Sequence, residues 1–368
     1  MTEKNILIID DSALMRRVIS AIIEADKRFN VIGVAINGLA GLSMLQENLD
    51  RVDAVLLDIN MPRMDGLEVL EEIKKQNIKT MVIVVSAVTT KDAVETIRAL
   101  ELGAFDFVTK PEGLEELRNN AFSDRLLECL AVATKLKVAE SPRVEIKKLP
   151  KVSITEIDEE EPILRKKRHV AGHKIQNKLI ALACSTGGPK ALHTIIPSLP
   201  KGLEAGVVIV QHMPEGFTKS LADRLNTLSQ IPVKEAEDGE IVNNGCVYIA
   251  KGGKQIRVTK DNKGNHILKL TNEEPRYGLL PCADKLYESL VETDYDEITC
   301  VVLTGMGNDG TAGISELSKK KNIHVIAQDK KTSIVYGMPK MIRMTGLVDK
   351  ILSLDEISNA IIKNVGVL

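Results

Sequence analysis

LIALACSTGGPKAL, residues 179–192, passes from an unbroken apolar run through a hydroxyl and glycine cluster into a stretch with helical spacing. An apolar run bounded by turn residues suits a strand buried on both faces, and a parallel strand feeding a helix carries its chemistry at that corner. Three readings are open there: a nucleophile at Ser185, a phosphate cradle of backbone N–H groups, or a plain turn. The corner lacks GxxxxGK[ST] and GxGxxG, so nucleotide binding has no specific support. Glycine at 187 and 188 is expected to let a reacting carbonyl approach the backbone.

Downstream, β-type runs continue as GVVIVQH, CVYIA, QIRVTK, HILKL, ITCVVLTG and HVIAQD. The 179–184 run and the GVVIVQH, ITCVVLTG and HVIAQD runs are continuously apolar, as central parallel strands are. The other three alternate around KGGK and DNKGN and predict an antiparallel insertion. Upstream, NILIID, VIGVA, AVLLDI, MVIVVSA and FDFVTK alternate with helix-like stretches and predict a second parallel sheet. Leu14, Val18 and Ile22 recur every four positions as the expected buried face of its first helix, with Asp11 or Ser12 as cap. The fold class is therefore α/β, with two doubly wound parallel-sheet domains over 1–118 and 178–368. Residues 119–177 form a helical extension and a charged linker. Its blocks Asp158 to Glu161 and Arg165 to Arg168 read as a solvated bridge, and His169 and His173 have metal-ligand spacing without a third ligand nearby.

Composition bounds the function. With 49 basic against 51 acidic side chains, 3% aromatics and no Trp, the chain offers nucleic acid neither an electrostatic footprint nor a stacking platform. No run of 18 apolar residues occurs, and MTEKNILIID lacks a signal-peptide core, so no membrane insertion and a cytoplasmic monomer are expected. Cys129, Cys184, Cys246, Cys282 and Cys300 form no CxxC pair and read as reduced thiols, most of them buried.

In the first domain Asp10 and Asp11 close the first run, Asp58 the third, Ser86 the fourth and Lys110 the fifth, so all converge on one sheet edge. Three adjacent carboxylates repel one another and call for a hard cation such as Mg²⁺. Such a metal beside Asp58, with Lys110 and Ser86 as contacts, suits formation of an aspartyl phosphate. In the second domain His212 closes the second run and Asp309 follows the sixth through a glycine-rich loop. Ser185, His212 and Asp309 can then act as nucleophile, general base and imidazole orienter. Cys184 competes for the nucleophile's role, but neighbouring strand residues point to opposite faces and Ser185 is the one at the turn. Thr186 and backbone N–H groups near Ser185 and Met306 are the oxyanion candidates. His193, His266 and His324 read as structural.

These motifs carry two resemblances. The DD pair, LLDINMPRMDG, VVSA and FVTKP resemble a response-regulator receiver domain, which is flavodoxin-like, over about 115 residues. That resemblance implies Asp58 as phosphoacceptor, Asp10, Asp11, Asp58 and the carbonyl of Asn60 around Mg²⁺, and Ser86 and Lys110 on the phosphoryl group. It further implies Phe107 as the switch aromatic and a cis bond at Lys110–Pro111. STGGP, QHMPEGFTKSLADRL, EAEDGE, VYIAKGG, LTGMGNDG and YGMP, in this order, are similar to the Rossmann-like catalytic domain of the CheB family of protein-glutamate methylesterases. This implies a Ser185–His212–Asp309 triad that needs no cofactor, hydrolysis of γ-methyl esters on chemoreceptor helices, deamidation of receptor glutamines, and the histidine kinase CheA as phosphodonor. Ala183, Cys184 and Lys251 depart from the family pattern, as do Leu279 and Leu280 before PCAD, where HR before PSVD is expected. A receiver-controlled binding module without catalysis stays open as the alternative.

Overall fold

The computed structural model describes residues 3–111, 113, 120–136 and 177–367. The charge blocks, His169 and His173 lie outside the described residues.

The first sheet contains β1 (Lys4–Ile9), β2 (Phe29–Ala35), β3 (Ala54–Asp58), β4 (Met81–Ser86) and β5 (Asp106–Thr109), in the order β2-β1-β3-β4-β5. All its pairings are parallel. Helices cover both faces, which is why Ile6 to Ile9 and Val55 to Leu57 are uninterrupted apolar runs. In the first helix, Ala13–Ala25, the Ser12 hydroxyl accepts from Met15 N–H, as a cap should. Its buried face is one residue out of phase with the expected one. Ile19 and Ile23 are buried with Met15 and Ile22 beside them, whereas Leu14 is 64% exposed, because a shift of one position turns a side chain about 100° around the axis. Helix Ala121–Ala133 packs against β5 and the first helix and buries Leu126, Cys129 and Leu130.

The second sheet contains β6 (Lys178–Cys184), β7 (Ala205–Gln211), β8 (Val233–Glu235), β9 (Val247–Ile249), β12 (Glu297–Val302), β13 (Ile323–Gln328) and β14 (Lys350–Leu352). Its order is β14-β13-β12-β6-β7-β9-β8, parallel throughout. Strands β10 (Gln255–Lys260) and β11 (His266–Thr271) form the inserted antiparallel hairpin. At its turn the Asp261 carboxylate accepts from Lys263 and Asn265 N–H. The CVYIA run is not part of that insertion. It is β9, inside the parallel sheet beside β7, where Val247, Tyr248 and Ile249 are buried on both faces. Strands β8 and β14 are too short to register as apolar runs in the sequence. The cis peptide bond among the described residues is Leu280–Pro281, so the one expected at Lys110–Pro111 is corrected to trans. All five cysteines are free, and four of them are buried.

The strand ends are held in place by glycines. Gly66 donates its N–H to Ile59 O at 2.8 Å, and a Cβ there would stand 2.4 Å from Asp58 O and 2.8 Å from Ile59 Cα. Those atoms belong to the end of a central strand and cannot give way cheaply. Gly66→Ala should therefore destabilise the first domain by about 1–3 kcal/mol, read as a fall of several degrees in its thermal midpoint. An unchanged midpoint would show that the strand end tolerates the displacement.

Candidate active site

The second sheet changes direction at β6, which lies between β12 and β7, and open α/β sheets bind ligands at such a switch point. Ser185 follows β6 and His212 follows β7, with Cys184 directly opposite Gln211 in the register and the His212 N–H donating to Cys184 O at 3.1 Å. Gln211 ties the two strand ends together. Its amide donates to the carbonyls of Ser185 and His212, and its Oε1 accepts the Cys184 thiol at 3.0 Å. This bears on Cys184 as a rival to Ser185. The thiol is spent on Gln211 within the strand, and burial pushes it far above its ordinary pKa, so thiolate is disfavoured.

His212 Nε2 donates to Asp309 Oδ2 at 2.7 Å, which leaves Nδ1 as the basic ring nitrogen. Asp309 is buried and richly served. Its Oδ2 also accepts from Ala283 N–H at 2.6 Å, and its Oδ1 accepts from Asp284 N–H and Gly310 N–H at 2.9 Å each and from the Cys282 thiol at 3.1 Å. Burial by itself raises the Asp309 carboxyl, but the His212 hydrogen bond and charge and the backbone donors outweigh it and hold it at about 2.

The corner glycines do not open the backbone to a carbonyl as expected. A Cβ at Gly188 would lie 1.9 Å from Gln211 Oε1, and one at Gly187, whose φ is +78°, would lie 2.7 Å from Ile334, so both make room for the protein's own side chains. The Ser185 N–H is likewise committed, donating to Thr304 O at 3.1 Å. The Met306 N–H donates to no backbone or side-chain acceptor among the described residues, in the loop whose Gly305 packs against Ser185.

The first domain lies against this site. Phe107 stacks on Phe217 with ring centroids 4.8 Å apart, and the Thr186 hydroxyl donates to Asp106 Oδ2 at 2.7 Å. Arg125 holds the same carboxylate oxygen at 2.8 Å. Glu101 pairs with Arg224 at 2.6 Å and with His193 Nε2 at 2.9 Å. Ser185 and Thr186 are consequently only 7% and 3% exposed. Sequence reasoning missed Asp106 and Gln211, and treated His193 as an ordinary helix residue. The apolar neighbours of Asp106 gave one available signal, since a carboxylate inside a strand core must have a partner somewhere.

At the carboxyl edge of the first sheet the ligand atoms of Asp10, Asp11 and Asp58 lie within 4.8 Å of one another. Lys110 Nζ sits 2.7 Å from Asp58 and 3.0 Å from Asp10. Burial pushes the Asp58 carboxyl up to about 6 against the pull of Lys110, with Asp10 and Asp11 adding repulsion. The all-oxygen donor set and this uncompensated charge fit a hard divalent cation. The Ser86 hydroxyl accepts from Thr96 at 2.8 Å and donates to Ala87 O at 3.3 Å. The Asn60 side-chain amide donates to Asp92 at 2.5 Å.

A doubly wound domain with a serine and a histidine at neighbouring strand ends, joined to one whose strands end in carboxylates and a lysine, belongs to the class of receiver-linked α/β hydrolases. Comparison with known proteins narrows the class. A family model described as CheB methylesterase matches residues 180–361, and one described as response regulator receiver domain matches residues 6–122. The protein-glutamate methylesterase/protein-glutamine glutaminase 1 of Syntrophomonas wolfei is 40% identical over 98% of this chain and 99% of its own. The protein-glutamate methylesterase/protein-glutamine glutaminase of Bacillus subtilis is 41% identical over 97% of each chain, and that of Pyrococcus horikoshii is 38% identical over 99% of this chain and 94% of its own. The chain belongs to the CheB methylesterase family and is an ester hydrolase carrying a receiver domain. No helix among the described residues is long and apolar enough to cross a membrane.

The state of Asp309 gives a test with a definite sign. Its folded pKa of about 2 lies below the ordinary 3.8, so it adds stability that is complete above about pH 4 and is lost as pH falls through about 2. A shift of that size corresponds to roughly 2–3 kcal/mol. Asp309→Asn should lower the urea midpoint of the catalytic domain at pH 7, with the gap narrowing at pH 3. A gap independent of pH would remove the ionic holding described above.

Proposed function

We propose that the chain is a phosphorylation-activated protein-glutamate methylesterase, with Ser185 as nucleophile, His212 as general base and Asp309 as the group that orients the imidazole. The observation that carries this reading is the 2.7 Å His212–Asp309 pair at the end of β7, beside Ser185 at the end of β6. Ser185 Oγ attacks the ester carbonyl while His212 Nδ1 takes its proton, and the returned proton leaves with methanol. Water then hydrolyses the acyl-serine by the same base and restores the carboxylate. The Met306 N–H and, once released from Asp106, the Thr186 hydroxyl are the donors assigned to the developing oxyanion. The substrates are γ-methyl-glutamates on cytoplasmic chemoreceptor helices, with glutamine deamidation as the parallel reaction. The names of the relatives and the family support both. The receiver occupies 1–118 and the catalytic domain 178–368, joined by the helical extension and linker of 119–177, and the protein works in the cytoplasm as a monomer.

Asp10, Asp11, Asp58 and the Asn60 carbonyl would hold Mg²⁺, which would supply charge neutralisation during phosphoryl transfer from a CheA-type histidine kinase to Asp58. Lys110 contacts the phosphoryl oxygens. The unphosphorylated receiver covers the catalytic mouth through Phe107 on Phe217, Asp106 on Thr186 and Glu101 on Arg224. Phosphorylation replaces the Asp58 carboxylate by an acyl phosphate carrying roughly −1.5 to −2 charges and draws Ser86 off Thr96. Because Thr96 and Glu101 lie on one helix, Thr90–Leu102, that movement reaches the ion pair.

Methanol release from methylated receptor membranes tests the chemistry. Ser185→Ala and His212→Ala should each lower turnover by at least about 10²-fold, while Cys184→Ala keeps it. Loss in Cys184→Ala with retention in Ser185→Ala would assign the nucleophile to the thiol. Glu101→Ala, which removes the partly exposed pair with Arg224 across the interface, should raise turnover without phosphodonor by about two- to fivefold and leave the fully phosphorylated rate unchanged. An unchanged basal rate argues against the latch.

A further inference from the structure

We propose that Cys282 is a positioning residue of the esterase site, its thiol setting how much negative charge the Asp309 carboxylate presents to His212. The inference rests on the triad reading above. Cys282 is fully buried and precedes helix Ala283–Ser289. Its backbone N–H is fixed by Gln255 Oε1 at 2.8 Å, and the Gln255 amide in turn donates to Leu279 O at 3.1 Å, so the residue is held by a side chain that is itself anchored. From there the thiol donates to Asp309 Oδ1 at 3.1 Å.

The other donors to Asp309, apart from His212, are backbone N–H groups of Ala283, Asp284 and Gly310, which no substitution can tune. Cys282 is thus the one adjustable donor on this carboxylate among the described residues. A thiol is a weak donor, so it satisfies Oδ1 geometrically while withdrawing little charge. Burial and the neighbouring Asp309 charge keep it protonated, well above its ordinary value, so it remains a donor throughout the working range. More charge left on Asp309 favours the imidazolium that forms when His212 takes the serine proton. A stronger donor at position 282 would weaken that support, and no donor would strengthen it while loosening the carboxylate.

The test uses the full chain with Mg²⁺ and saturating acetyl phosphate, and a γ-methyl-glutamate peptide whose methanol release is followed from acid to neutral pH. The acidic midpoints of the kcat/KM profiles should fall in the order Cys282→Ala, then parent, then Cys282→Ser, from high pH to low, across about one pH unit. The alanine protein should lose about three- to tenfold in kcat with KM little changed, and the serine protein should stay within about threefold of the parent. A merely structural role would lower the rate or the thermal midpoint without ordering the profiles. Three coincident profiles, or a serine protein displaced the same way as the alanine protein, overturn the proposal. If the alanine protein does not fold, the serine protein decides alone: a midpoint at or above that of the parent overturns it. Ser185→Ala and Asp309→Ala run alongside. Activity surviving in those two would remove the triad reading itself, whereas their inactivity with unmoved Cys282 profiles removes only this inference.

Discussion

A carboxylate buried in the catalytic domain must be met by donors on every side, and the meeting of Asp309 with His212, three backbone N–H groups and one thiol organises the rest of the site. An unpaired charge there would cost several kcal/mol. The demand fixes the start of helix Ala283–Ser289, because two of its first N–H groups are consumed, and it fixes the loop after β12, because Gly310 N–H must turn back onto the carboxylate. Asp284, the next residue, repeats the device on a smaller scale by accepting from Gly313 N–H at 2.7 Å. Burial nonetheless pushes Asp284 up to about 6, since it has fewer donors than Asp309. Two neighbouring buried carboxyls thus sit far apart in acidity, because Asp309 has the His212 hydrogen bond and charge as well as more donors, whereas Asp284 also feels the Asp309 charge.

The strand ends explain why such a site can also be covered. Parallel sheets bring functional groups to one edge, and here the start of β5 and helix Thr90–Leu102 of the first domain are turned against that edge of the second. Asp106 begins β5 and Phe107 follows it, so one four-residue strand supplies both the carboxylate that reaches Thr186 and the ring that stacks on Phe217. Lys110, directly after the same strand, bridges Asp10 and Asp58. A short strand therefore runs from the acidic pocket to the catalytic mouth, and a change of charge at one end has only about four residues to cross.

Much of this was legible in the sequence, and the misses have physical causes. The long apolar strands and the residues that close them were readable because burial on both faces leaves no polar alternation, and Asp10, Asp58, Ser185 and His212 interrupt those runs abruptly. The VYI of β9 was misplaced because three residues beside an alternating hairpin carry too little periodicity to show their partner. Leu14 was assigned to the core from a four-residue repeat that Ile19 and Ile23 satisfy better. Asp106 and Thr186 are 80 residues apart, and His193 and Glu101 lie in different domains, so no local pattern could join them. The sequence favoured Ser185 over Cys184 by its position at the turn, and what it could not show is that Gln211 holds the Cys184 thiol.

The interface between the domains is built from weak parts, and that weakness suits a switch. Glu101 and Arg224 are partly exposed, so their pairing contributes little net free energy. The Phe107–Phe217 stack adds about 0.5–1.5 kcal/mol beyond its burial. The Thr186–Asp106 bond replaces contacts either group could make with water. His193 enters unevenly: with Nδ1 bonded to Pro189 O, its Nε2 faces Glu101 as a donor only when the ring is charged, and burial lowers its pKa against the opposing pull of Pro189 and Glu101. At neutral pH this contact is close to neutral in free energy or opposes closure. On the proposed reading, a cover assembled from such terms can be lifted by the few kcal/mol that a phosphoryl group at Asp58 would redistribute. A large apolar interface of core quality would instead hold the domains shut whatever the state of Asp58.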